Sequence, residues 1–152
     1  MNVRFGALGA LVALTLAASA QAQVPGPSLA DAKKAIAAAQ ATAATLKANL
    51  GCVVLDSRGA VIVAERMDKA TFFTVDIARG KALVSASFGA PSGAMVQLSG
   101  SGIGSVLPGP ASPVFLQGAV PLKGGGAIGC SGGSGQQDED AAKAGAAALA
   151  GN

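Results

Sequence analysis

Asp138, Glu139 and Asp140 stand directly after a run in which seven of the twelve positions 124–135 are glycine, and this is the one place where acidic side chains cluster. A glycine-rich turn before a helix invites a nucleotide-binding reading, and the residue types argue against it. The phosphate-loop pattern needs Lys and then Ser or Thr after its last glycine, whereas Gly135 is followed by Gln136 and Gln137. A dinucleotide site leaves the helix N-terminus free for pyrophosphate, but here three carboxylates crowd its first turn and repel an anion. The acids read as a solvated helix cap. What the glycines offer is close approach, of a second backbone or of a flat ligand against Gly125 and Gly126.

The absence of His narrows the chemistry further. It removes the usual general base, any Ser–His or Cys–His nucleophile pair and the commonest zinc sites, so catalysis would need a bound cofactor. With Asp68, the acids at 138–140 are the only carboxylates to name for such work. Phe72, Phe73 and Phe88 serve either as core or as the wall of an apolar ligand site. Lys and Arg are scattered without a run and Trp and Tyr are absent, so neither the charge footprint nor the stacking platform of nucleic-acid binding is present.

These groups must be placed by a chain of 152 residues, enough for one domain with a real core. Residues 1–22 read as a secretory signal peptide: Arg4 precedes an apolar run over 5–18, and Ala20-Gln21-Ala22 supplies the cleavage site. The run, about 14 residues, is short of the roughly 20 that span a bilayer. The expected mature domain is 23–152, exported to the periplasm or secreted. Without Arg4, ten basic residues face eight acids, which leaves a net charge of +2. In such a compartment Cys52 and Cys130 either pair or remain buried thiols.

Ser28 caps a helix over 28–50, whose mostly Ala stripe runs through Ile36 and Leu46 and which Gly51 ends. Two apolar runs, 52–55 and 60–64, flank the turn sequence Asp56-Ser57-Arg58-Gly59 and form a hairpin expected to be covered on both faces. A second helix runs over 75–88, where Asp76 and Arg79 can pair and Gly80, unfavourable mid-helix, signals a close neighbour. Residues 89–113 form a long Gly, Ser and Pro loop with a brief amphipathic piece at 92–98, and long loops in compact domains are often functional. A third strand over 114–122, the glycine-rich strand and a helix over 137–149 complete an α+β domain. Its hairpins favour an antiparallel sheet of four or five strands with helices on both faces. Ala-rich, weakly charged helices suit a homo-oligomer, so an interaction module is one reading of function.

Three segments together resemble the GlcG/HbpS family, which also includes the C-terminal domain of PduO-type proteins. They are Asp56-Ser57-Arg58-Gly59, then Arg66-Met67-Asp68 through Ile77-Ala78 and Lys81-Ala82, and GGGAIGCSGGSGQQDEDAAKAG. The resemblance covers essentially the whole mature chain. It implies a profilin-like three-layer domain, assembly into dimers or octamers, and haem or a related tetrapyrrole as ligand. It implies also that the first and last strands are neighbours, which brings Cys52 and Cys130 within reach of each other. On that reading Phe72, Phe73 and Phe88 form the apolar wall, Gly125 and Gly126 admit the ring, and Arg66 or Lys81 faces its propionates. Haem-degrading activity is the enzymatic alternative. The chain departs from the family at Gly80, at Cys130 and in having neither His nor Tyr, leaving Met67, Met95, the lysines and the cysteines as strong iron ligands.

Overall fold

The computed structural model describes residues 25–101 and 112–150. The leader at 1–22 and residues 102–111 of the long loop lie outside the described residues. The elements follow in the order α1 (Leu29–Thr45), β1 (Gly51–Leu55), β2 (Val61–Arg66), α2 (Thr74–Phe88), a 3-10 helix (Ser92–Leu98), β3 (Ala119–Pro121), β4 (Ala127–Ser131) and α3 (Gly135–Ala147). The four strands make one antiparallel sheet in the order β2-β1-β4-β3. The first and last long strands are therefore neighbours at its centre.

Helices cover both faces. Alternate side chains of the central strands divide between two cores, as the two-residue period of a strand requires. Cys52, Val54, Ile128 and Cys130 point towards the Ala-rich faces of α1 and α3, while Val53, Leu55 and Ala127 meet Ala78, Ala82 and Leu83 of α2. A Cβ on Gly129 would run into the carbonyl of Ala78 and lie 3.0 Å from Ala82, so the missing side chain is what lets α2 lie on the sheet. The same holds across the other layer, where a Cβ on Gly145 would stand 2.8 Å from the carbonyl of Ala35.

Cys52 and Cys130 are directly opposite on β1 and β4, and they are joined by a disulfide. The Cys130 N–H donates to Gly118 on the other side, so the cysteines occupy a close, non-hydrogen-bonded pair position. The bond lies wholly buried beneath α1 and α3.

Several expected boundaries move. Helix α1 ends at Thr45 rather than at Leu50, and Gly51 is the first residue of β1, not the cap. Lys47 takes the left-handed position at φ 56°, with bonds from Lys47 N to Ala44 O and from Ala48 N to Ala43 O that close a Schellman turn without glycine. Gln137 of α3 donates to the carbonyl of Leu46, so the helix end is satisfied from across the fold. The third strand shrinks from 114–122 to Ala119–Pro121 because Val114 bonds instead to the carbonyl of Gly80 and fills the space its missing side chain leaves. Strand β2 is an edge strand with Val61, Ala64 and Arg66 exposed, not covered on both faces. The sequence cannot distinguish an apolar edge from an apolar centre.

Two perturbations, one chemical and one a substitution, probe these layers. Reduction of the disulfide, which joins residues separated by 78 in sequence, is expected to lower stability by about 4 kcal/mol, seen as a matching drop in the denaturation midpoint. Gly129→Ala is expected to cost about 2 kcal/mol or more in chemical denaturation, since neither strand nor helix backbone can yield locally.

Candidate functional site

Asp138 and Glu139 prove to be part of the interior rather than a solvated cap, while Asp140 stays half-buried. Ser134 caps α3 through a reciprocal capping box with Gln137, which sets the first turn and turns Asp138 inward. Asp138 forms a 2.7 Å ion pair with Lys81 of α2, and the two side chains are only 3% and 4% exposed. Its second oxygen accepts from Gly133 N at 2.9 Å, while the Lys81 ammonium also donates to Cys130 O at 3.3 Å. Gly118 makes room for the pair: a Cβ there would stand 2.8 Å from Lys81 Nζ and 2.8 Å from Asp138 Cβ. A buried pair of this kind is tolerable only because its remaining donors and acceptors are met.

Glu139 is buried as well and bonds Lys143 at 2.6 Å. The hydrogen bond, and then the Coulombic attraction of the same carboxylate, hold the exposed Lys143 ammonium above its ordinary pKa. Asp140 accepts from Gln136. The acidic turn thus has two of its three charges matched by cations.

Above the Lys81–Asp138 pair opens a groove of about 400 Å³. Ile77 of α2, Val96 of the 3-10 helix and Leu116 form its apolar walls; Ser131, Gln117 and the backbone of Gly133 and Gly135 form the polar remainder. Val96 and Leu116 are held in place by Ser92, whose hydroxyl donates to Leu116 O at 2.7 Å and accepts from Ala119 N at 3.0 Å. Neither Val96 nor Leu116 carries a pattern in sequence that marks it. Their shared role arises only when the loop folds back over α2.

The residues singled out in the sequence do not converge on one site. Lys81 lies in the groove, but as the buried partner of Asp138 it is not free to face a propionate. Phe73, 48% exposed, stands one helical turn from Ile77 and packs edge-to-face with Phe72, which is 82% exposed. Arg66, exposed at the end of β2, pairs with Gly51, which on its other side pairs with Ser131 of the groove. Two strand spacings put Arg66 roughly 10 Å from Ser131 along the sheet. Phe88 is elsewhere, against Phe115 at 6.5 Å. Gly125 and Gly126 are at the opposite end of the sheet, where the turn into β4 folds against Pro25 and Leu55 at φ 107° and 82°. Met67 is also removed: its sulfur accepts from Leu50 N at 3.3 Å and its side chain packs on the α1 core. No described Phe enters either core, and Asp76 and Arg79 form no ion pair. Among the described residues no cluster of three or more His, Cys, Asp or Glu could hold a metal ion, and no helix is long and apolar enough to cross a membrane.

Comparison with known proteins gives a family. The model described as "Haem degrading protein HbpS-like" matches residues 28–147. The fold is that of HbpS from Streptomyces reticuli, solved as a double mutant: 29% identity, TM-score 0.75, covering 93% of this chain and 99% of that one. PduOC, solved as a complex with haem, is 25% identical with TM-score 0.72 over 82% of this chain and 96% of that one. The Klebsiella pneumoniae protein ORFY shares the fold at 23% identity and TM-score 0.72, over 88% and 97%. The comparison with curated proteins found no match.

The ion pair yields a double-mutant test. Lys81→Met leaves a buried carboxylate alone and is expected to cost about 3–5 kcal/mol in denaturation, whereas Lys81→Met with Asp138→Leu is expected to cost less than that single change.

Proposed function

The chain belongs to the HbpS-like family of haem degrading proteins, and on that premise we propose that it is an exported, oligomeric protein that binds haem or a related tetrapyrrole at the groove between α2, the 3-10 helix and α3. The observation that carries the reading is the groove itself: apolar on Ile77, Val96 and Leu116, and side-chain-poor at Gly133 and Gly135, with exposed Phe73 one helical turn before Ile77. Concave, mostly apolar sites of a few hundred Å³ are what flat organic ligands occupy. The related PduOC in complex with haem supports the choice of ligand class.

The residues fit one part of haem and not another. The walls suit the apolar faces of the macrocycle, and Arg66, at the same end of the sheet, offers a free cation for a carboxylate edge. Ligation of iron by a side chain does not fit. His and Tyr are absent from the sequence, both cysteines are in the disulfide, and Met67 is on the far face of the sheet. Lys81, as an ammonium held by Asp138, has no lone pair to give.

The disulfide supports the export reading, since such bonds persist in oxidising compartments. The open edge of β2, with Val61 and Ala64 exposed beside it, supports association with further copies, because an unpaired apolar edge is a template for another strand.

Titration of the purified chain with haem is expected to give a saturable, shifted Soret band. Ile77→Asp, which puts a charge on the apolar wall, is expected to weaken binding by about tenfold or more while leaving the thermal midpoint nearly unchanged. A spectrum that stays that of free haem would reject the reading.

A further inference from the structure

We propose that this chain recognises the macrocycle and not the metal, so that a metal-free porphyrin dicarboxylate binds as tightly as haem. The inference rests on the tetrapyrrole reading above and goes one step beyond it, to the part of the ligand that is read.

The full inventory of strong iron ligands is accounted for. Those ligands are His, Tyr, Cys thiolate and Met thioether, together with a Lys amine, and the only lysine that lines the groove is Lys81, held by Asp138. The sequence has neither His nor Tyr. Cys52 and Cys130 are bonded to each other and wholly buried. Of the three methionines, Met1 belongs to the expected leader, Met67 has its sulfur engaged by Leu50 N beneath α1, and Met95 is half-buried and does not line the groove.

The polar floor is equally committed. Both oxygens of Asp138 are occupied, one by Lys81 and one by Gly133 N, and Lys81 divides its protons between Asp138 and Cys130 O. A metal arriving above this floor meets only neutral hydroxyl and amide oxygens, of Ser131 and Gln117, which are not among the strong iron ligands, and it reaches the Asp138 carboxylate only by breaking a buried ion pair, which costs several kcal/mol. What the groove can contribute is burial of apolar surface on Ile77, Val96 and Leu116, and the surface buried there is the same in haem and in the metal-free ring. Charge attraction to Arg66 depends on the carboxylate edge, which the two also share.

The test is a parallel titration of the full chain with ferric haem and with protoporphyrin IX, read by the Soret band and by porphyrin fluorescence, with the spin state of the bound ferric haem read by electron paramagnetic resonance. The dissociation constants are expected to agree within about threefold, bound haem to remain high-spin, and Ile77→Asp to weaken both ligands alike. Haem binding more than about tenfold tighter than protoporphyrin IX, or a low-spin signal that Met95→Leu abolishes, would overturn the proposal and leave the tetrapyrrole reading standing. Failure of both ligands to bind would overturn the two together.

Discussion

The separation between layers in this domain is set by what β4 lacks. Ala127 and Gly129 face α2, and the absence of a side chain at Gly129 brings the carbonyl of Ala78 to where a Cβ would stand. On the opposite face the Ala stripe of α1 and Gly145 of α3 bring those helices equally near, around Ile128 and the disulfide. A core built this way holds no aromatic side chain among the described residues. It gains its cohesion from many short contacts at close range, where dispersion is strongest, rather than from a few large side chains.

That closeness makes the position of Lys81 an outcome of packing. With α2 seated on β4, the Lys81 side chain reaches under Gly118 to Asp138 at the first turn of α3, and the pair ties two helices on opposite faces of the sheet through its end. The groove is the space left above this tie once the 3-10 helix and Leu116 fold over it. The charged groups of its floor, Lys81 and Asp138, are committed to each other and to the backbone of Cys130 and Gly133. Its walls are apolar because the loop residues that reach it are. The same arrangement that favours a flat apolar ligand therefore withholds groups that would take a metal.

Where the aromatic residues went follows from the same constraint. A Phe on α2 facing β4 would hold the helix away, so Phe72 and Phe73 sit at its start, exposed, and Phe88 at its end. The exposed pair of Phe72 and Phe73 is costly in water, and its place one helical turn before Ile77 of the groove is what a binding surface would explain.

Much of this was legible in the residue order. The alternation of helix and hairpin signals, the Ser28 cap, an amphipathic piece at 92–98 and the α+β class with helices on both faces follow from local propensity and periodicity, which act over a few residues; that the piece is a 3-10 helix is seen only in the fold. Gly80 marked a close neighbour from the sequence, and only the fold shows that the neighbour is Val114. Other features were decided by contacts far apart in sequence. The turn at Lys47 that ends α1 is completed by a bond from Gln137 to Leu46 O, across a separation of 91 residues, that only the assembled fold supplies. Asp138 is an interior ion rather than a solvated one because Lys81 is brought to it from a separation of 57 residues. The sequence by itself determined the elements, the missing His and Tyr, and the reach of the glycines; the tertiary structure decided which charges are buried, which strand is the edge and which loop residues wall the groove, since each depends on what another segment covers.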